Sequence, residues 1–332
     1  MHLMAENMLV QSPLVSMILL TYKQEWCVEK AIRCALAQDY SNLEIIISDD
    51  CSPDDTWGVV QRVVSEYDGP HKVILNRTDK NAGAVANVSS AMKRSSGEII
   101  VLAAGDDYSV PHRVSRVVSA FGAFENVTMV ESLENYVDRN GDETITKGSG
   151  GVSLMDSDPN QIVKCFPRFK GAVLSYRRCV FEDFDPLPED AWAEDIILSF
   201  RACLKGCIVH IDEPLVYYRT DGGVSTGLCT SLERSLRVNR GRKRCYEQLV
   251  QDIRSLHRND LCTAERVMLD RVKDGQSFLD GLGGKCLMGR VVSALCLLIQ
   301  SGVSKRNVAV FALSLFPWNL RCRLYGLFGK FF

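Results

Sequence analysis

Several features that would narrow the chemistry are missing from this 332-residue chain. Its 13 cysteines include no Cys-x-x-Cys pair, so zinc-knuckle and thioredoxin-type redox chemistry have no motif to stand on. Cys203 and Cys207 are spaced for one helical turn rather than for a zinc site. Histidine is scarce at five, and His71, His112 and His210 have no ligand spacing, so they are read as structural. Lys and Arg number 39 against 41 Asp and Glu, which leaves no global basic field, and nucleic acid is not expected as a partner. No apolar run approaches the roughly 18 residues that a membrane-spanning helix needs. The N-terminal "MHLMAENMLVQSPLVSMILLTY" lacks a basic stretch followed by an unbroken apolar core, so a cleaved signal is not expected. Together with the odd cysteine count, this predicts a reducing, cytoplasmic setting with buried free thiols.

What is present is alternation. Residues 15–20 form a continuous apolar run of buried-strand type, and residues 25–38 have helical periodicity with Ala31, Cys34 and Ala35 on one face. "LEIIISDD" is a second strand ending in acids. In "SPDDTWGVVQRVVSEY" Ser52 and Asp55 stand in a capping-box-like arrangement before an amphipathic helix, and Asp55 is read as its cap. "HKVILN", a helix over 85–94 and "GEIIVLAA" repeat the unit. Strand–helix alternation predicts an α/β fold with a mostly parallel sheet covered by helices on both faces. In such sheets ligands collect at the carboxyl ends of the strands.

Polar residues stand at those ends: Thr21 with Tyr22, Asp49 with Asp50, and Asp106 with Asp107 in "VLAAGDDYSVP". Two acidic pairs facing one crevice repel each other. A Mg²⁺ or Mn²⁺ ion shared with substrate phosphates relieves that repulsion, whereas simple helix capping explains the acids without a ligand. For Asp50 and Asp106 the spacing favours the ligand reading.

The segments "VSMILLTYKQEWCVEKAIRCALAQDYSNLEIIISDDCSPDDT" and "NAGAVANVSSAMKRSSGEIIVLAAGDDYSVPHRV" resemble the family 2 glycosyltransferases of GT-A fold, of the bacterial surface-polysaccharide type. The likeness runs from residue 15 to about 225. It implies that Thr21 and Tyr22 line a nucleotide pocket, that Asp50 rather than Asp49 bonds the base, and that Glu25 is a lesser part of the same wall. The family's Asp-x-Asp is incomplete here, because Ala104 replaces the first carboxylate. The resemblance therefore implies a divalent cation held by Asp106, diphosphate oxygens and water.

In the second half, "FKGAVLSYRRCVFEDF" resembles the family's acceptor-side segment, with Gly171 allowing close backbone approach. "AWAEDIILSFRACLKGCIVHIDEPLVYYRTDGGVS" resembles the motif carrying the catalytic base. Glu194 and Asp195 open its helix, where two acids also suit the helix dipole. The resemblance makes Asp195 the general base, with Glu194 beside it, and implies inversion at the anomeric carbon. Where the family often has Tyr-Arg-x-His, the chain has Tyr218, Arg219, Thr220 and Asp221. Asp221 reads as a turn residue more readily than as a replacement ligand, and Arg219 as a phosphate partner.

The resemblance fades after about Gly227. The expected division is a catalytic domain over 1–228 and a helical C-terminal region over 229–332. Residues 281–332 contain seven Lys or Arg, no acid and several apolar runs, a pattern that predicts contact with an anionic membrane surface from the cytoplasmic side. The expected function is transfer of a sugar from a nucleotide-sugar donor to a glycan or lipid-linked acceptor. The alternatives are a non-catalytic sugar-nucleotide-binding module and a receiver-like signalling domain.

Overall fold

In the computed structural model, which describes residues 12–138, 140–163, 169–220 and 232–283, the first apolar run is strand β1 (Val15–Thr21). The chain continues as α1 (Val28–Leu36), β2 (Leu43–Asp49), α2 (Thr56–Ser65), β3 (Lys72–Arg77), α3 (Ala84–Met92), β4 (Ile99–Ala104), β5 (Tyr108–Ser109) and α4 (Arg113–Phe121). There follow β6 (Val127–Val137), β7 (Glu143–Thr144), β8 (Val152–Leu154), α5 (Pro159–Ile162), a 3₁₀ turn at Gly171–Val173, β9 (Leu174–Arg177) and α6 (Cys179–Glu182). Helix α7 (Glu194–Lys205), β10 (Cys207–Arg219), α8 (Leu232–Ser255) and α9 (Cys262–Gly283) complete the described chain.

The strands lie in the order β3-β2-β1-β4-β9-β6-β10-β5. Strands β3, β2, β1 and β4 are mutually parallel, as are β6 and β10, while β9 runs antiparallel between β4 and β6. This is the expected α/β fold with a helical extension. A receiver domain has five parallel strands in the order 2-1-3-4-5, so the signalling alternative does not fit. Strands β1, β2 and β4 are buried along almost their whole length, which accounts for apolar runs in place of period-two alternation.

The apolar residues form two clusters, one on each face of the sheet. One contains Val28, Ile32, Val60 and Val117 from α1, α2 and α4. The other joins Ile18, Ile46 and Ile100 to Phe200 of α7 and to Cys245, Leu249, Ile253 and Met268 of α8 and α9. The C-terminal helices thus share their core with the sheet. A buried ion pair adds to this, with Arg201 of α7 donating to both carboxylate oxygens of Asp252 in α8 at 2.7 and 3.0 Å.

Some local expectations differ. Asp55 occupies the cap position of α2 but makes no capping bond through its side chain. Asp54 accepts the Thr56 N–H instead, and the Asp55 N–H is taken by Glu25 at 2.8 Å. Helix α1 begins at Val28, three residues later than its periodicity suggested, because Gln24 and its neighbours turn to hold the strand end. Cys203 lies in α7, whereas Cys207 is already in β10 after the break at Gly206. The described cysteines are free thiols, but only Cys203 and Cys245 are buried and Cys262 is exposed. Among the described residues no helix is long and apolar enough to cross a membrane.

Candidate active site

Parallel pairing aligns three strand ends. Thr21 is level with Asp49, and Leu20 with Ala104, so the polar residues that follow β1, β2 and β4 meet along one edge. The Gly105 N–H continues the ladder to the Leu20 carbonyl at 2.8 Å. A side chain at Gly105 would put its Cβ 2.4 Å from Gln24 Oε1 and 2.9 Å from Thr21 Cγ2, so the residue between Ala104 and Asp106 has to be small.

The first acidic pair is tied into the backbone. The Asp49 carboxylate accepts from Thr21 Oγ1 at 3.1 Å and from the Ser52 N–H at 2.9 Å, with Arg77 Nε at 3.3 Å. Asp50 accepts from the N–H groups of Ala82 and Gly83 at 2.9 and 2.7 Å and from Thr78 Oγ1 at 3.1 Å. Gly83 has φ +94 and precedes α3, so Asp50 fixes a turn that a β-carbon would strain. Tyr22 is half-buried, with Lys23 Nζ 5.4 Å from its ring centre. Glu25 is exposed and serves helix α2.

The second pair is set differently. Asp106 and Asp107 are both buried. Asp107 accepts the Arg219 N–H at 2.7 Å, which joins the β4 end to the β10 end, and Arg219 Nε donates to the Asp106 carbonyl at 3.3 Å. The Arg219 guanidinium also lies 4.9 Å from the ring of Trp26, which is 60% exposed. Burial and the charge of Asp106 push the Asp107 carboxyl up to about 8. A buried pair of adjacent carboxylates suits a cation, and oxygen is the donor that Mg²⁺ and Mn²⁺ prefer. Among the described residues no three His, Cys, Asp or Glu side chains converge on a point that could hold a metal. A cation at Asp106 would therefore need further ligands from substrate and water.

The third pair opens α7. Ala193, extended at φ −153 and ψ 133, leads directly into Glu194 and Asp195, both half-buried. Burial, followed by the charge of Asp195, pushes Glu194 up to about 7. Burial pushes Asp195 up to about 6, opposed by hydrogen bonds from the N–H groups of Ile196 and Gly171. A Cβ on Gly171 would lie 3.1 Å from Glu194 Oε1, so this glycine approaches the acids themselves rather than an outside ligand. From the far side α8 supports the pair: Cys245 Sγ donates to the Ala193 carbonyl at 3.7 Å, and Gly241 packs on Trp192.

Arg113, which the sequence reading passed over, ties the second and third pairs together. Its guanidinium is fully enclosed and donates to the Leu102 carbonyl of β4 at 2.9 Å and to the Ala172 carbonyl at 2.8 Å. Ala172 follows Gly171, and Asp107 is the charge that acts on Arg113. Burial lowers the guanidinium to about 10. The available signal was an arginine aligned with Val117 and Phe121, four and eight residues on, along the apolar face of α4. The three histidines are structural: His71 bonds the Gln38 carbonyl, His112 pairs with Glu213 and His210 with Glu131. Asp221 and residues 284–332 of the basic tail lie outside the described residues.

Residues 16–170 match the family model for Glycosyl transferase family 2. This segment is a family 2 glycosyltransferase domain. An uncharacterized glycosyltransferase of Nostoc sp. is 30% identical over 217 residues, covering 63% of this chain and 65% of that protein. Escherichia coli WfaP, a UDP-Glc:alpha-D-GlcNAc-diphosphoundecaprenol beta-1,3-glucosyltransferase, is 31% identical over 105 residues, 32% of this chain and 40% of its own length. The chain thus spans less than two thirds of the length of these relatives. The crystal structure of Staphylococcus aureus TarS 1–349 in complex with UDP-GlcNAc superposes with a TM-score of 0.59 at 16% identity, covering 92% of this chain and 85% of that one. That likeness carries the fold, which is GT-A.

Proposed function

We propose that the chain is an inverting glycosyltransferase that moves a sugar from a nucleotide-sugar donor to a glycan or lipid-linked acceptor in surface-polysaccharide synthesis. The observation that carries this reading is the Glu194–Asp195 pair, held against Gly171 and joined through Ala172 and Arg113 to the Asp106–Asp107 turn. In this reading the departing diphosphate and the carboxylate base share one framework. The relatives' names, which include a transferase acting on a diphosphoundecaprenol-linked sugar, support the acceptor class.

In this reading Tyr22 and the Asp50 turn receive the nucleoside, with Thr21 and Glu25 shaping the wall from behind. An acceptor hydroxyl attacks the anomeric carbon from the face opposite the nucleoside diphosphate. Asp195 takes the hydroxyl proton as the new C–O bond forms and the old one breaks, and the electron pair leaves on the diphosphate. A carboxyl raised to about 6 is a stronger base than an ordinary aspartate and is still largely ionised at neutral pH. Glu194, raised to about 7, keeps a second negative charge from building up fully beside it. Arg219, fixed through its own N–H by Asp107, offers a guanidinium to the diphosphate. A divalent cation at Asp106 would supply charge stabilisation to the same group.

The proposed setting is the cytoplasmic face of the membrane, with the basic segment 281–332 as the contact. The main test is a panel of nucleotide sugars assayed for release of nucleoside diphosphate with a glycan acceptor. Release from one donor, strongly accelerated by acceptor, is expected; binding without turnover would leave a sugar-nucleotide-binding module.

A further inference from the structure

A group of side chains outside the roles described above occupies the ground between the two acidic pairs. Lys170 immediately precedes Gly171, whose N–H bonds Asp195. Its ammonium forms an ion pair with Glu134 and donates to Tyr136 Oη at 2.9 Å. Tyr136 Oη in turn donates to Glu134 Oε1 at 2.7 Å, the two residues standing on the same face of β6. Tyr218, level with Tyr136 in the neighbouring strand β10, meets it edge to face at 6.4 Å between ring centres. Lys170 Nζ lies 4.8 and 5.1 Å from the two ring centres. On its other side Tyr218 feels the charges of Asp107 and Asp106, which help raise its hydroxyl. The cluster thus touches the base through Lys170 and Gly171 and the diphosphate side through Tyr218.

We propose that Lys170, Glu134, Tyr136 and Tyr218 form the subsite for the acceptor's terminal sugar, and that this sugar is neutral. The inference rests on the transferase reading for the word acceptor, but the sugar-binding claim stands on the cluster. Two half-buried tyrosine rings offer apolar faces to the C–H side of a pyranose, while an ammonium, a carboxylate and two phenols match its hydroxyls. Such a set is satisfied within itself when empty, and a sugar's hydroxyls can exchange for those internal bonds one for one. The charge balance selects the ligand. Glu134 neutralises Lys170, so the cluster carries no net charge of its own, and Arg219, the next residue along β10, is committed to the Asp106 and Asp138 carbonyls. A uronic acid or phosphorylated sugar entering there would have to give up hydration of its charge against a neutral cluster that offers it no uncommitted cation.

The test measures binding without turnover. Saturation-transfer NMR on the full chain, with UDP present, would compare methyl glycosides of neutral hexoses with methyl glucuronide as probes. Transfer to ring protons of at least one neutral glycoside is expected, with at least a threefold weaker response from the glucuronide. Lys170→Met should cut the neutral signal several-fold, Lys170→Arg should keep most of it, and Glu134→Gln should shift preference toward the glucuronide. Should Lys170→Met fail to fold, Tyr218→Leu provides the same loss through the aromatic face. Equal signals for wild type and both loss variants, absence of any neutral-sugar signal, or preference of wild type for the glucuronide would each overturn the assignment. Turnover plays no part in this measurement, so failure of the transferase reading shows separately, in the nucleotide-sugar panel.

Discussion

The acids after β2 and the acids that open α7 are alike in composition and opposite in condition. Asp49 and Asp50 are encircled by donors: a threonine hydroxyl, a serine N–H and an arginine for the first, and two N–H groups with a threonine hydroxyl for the second. Glu194 and Asp195 are half-buried, Asp195 accepts the N–H groups of Ile196 and Gly171, and burial raises both. The difference separates acids tied into the edge of the sheet from acids whose protonation burial perturbs. For the α7 pair, burial disfavours the charged form and so raises the affinity for a proton. Asp107 combines the two conditions, since one N–H anchors it to β10 while burial and its neighbour's charge push it up.

The sharpest way to break the comparison is Asp195→Asn. If this carboxylate is the base, turnover should fall by roughly 10²- to 10⁴-fold while donor affinity stays within about twofold. Calorimetry and single-turnover rates on the same folded sample decide it, and near-normal turnover would remove Asp195 from the mechanism. Asp49→Ala should act the other way round. Removing a buried acid that holds Thr21, Ser52 and Arg77 leaves those donors unsatisfied, and denaturant unfolding should show a loss of about 2–4 kcal/mol. A stability change under 1 kcal/mol would show that Asp49 is not architectural.

A smaller effect is expected from metal. With Asp106 as the one carboxylate assigned to a cation, Mn²⁺ and donor should tighten each other's binding by equal factors, on the order of tenfold, about 1.4 kcal/mol. Asp106→Ala should abolish that coupling. Donor affinity that is indifferent to thorough chelation would leave Arg219 as the counter-charge to the diphosphate.

The smallest effect concerns protons. Both acids of α7 have folded values above their unfolded ones, so the native state holds more protons than the unfolded chain between about pH 4 and 7. Stability should therefore fall as pH rises through that window, while turnover rises as Asp195 ionises near 6. Glu194→Gln should flatten the stability slope and add on the order of 1 kcal/mol at pH 8, since it removes a charge that burial disfavours. Thermal melts across pH measure this, and an unchanged slope would mean that the pair does not carry the titration.

Much of the scaffold was legible in the residues themselves. Unbroken apolar runs at 15–20 and in "LEIIISDD" read as strands buried on both faces, and their polar ends marked the edge where a parallel sheet gathers ligands. Periodicity is a local property, so it survives reading one segment at a time. The insertion of β9 against the direction of its neighbours was not legible, because strand order is set by which faces find each other after the chain has turned back. The same holds for Glu25, whose carboxylate accepts the Asp55 N–H at the start of α2, and for Asp55, whose capping part falls to Asp54. Those outcomes depend on hydrogen-bond geometry at distances of an ångström or less, beyond what residue type encodes.

The sequence by itself determined that acids would stand at the ends of strands and at the head of a helix, because hydrophobic patterning and helix-dipole preference act over a few residues. Only the tertiary structure decided what each acid does. Whether a carboxylate becomes a brace or a base depends on how many donors reach it and how much water is excluded. Here the surroundings of the acids are set by Arg113 spanning from Leu102 to Ala172, by Gly171 lying against Glu194 and Asp195, and by α8 closing on the head of α7. These contacts join residues tens of positions apart, and no local preference specifies them.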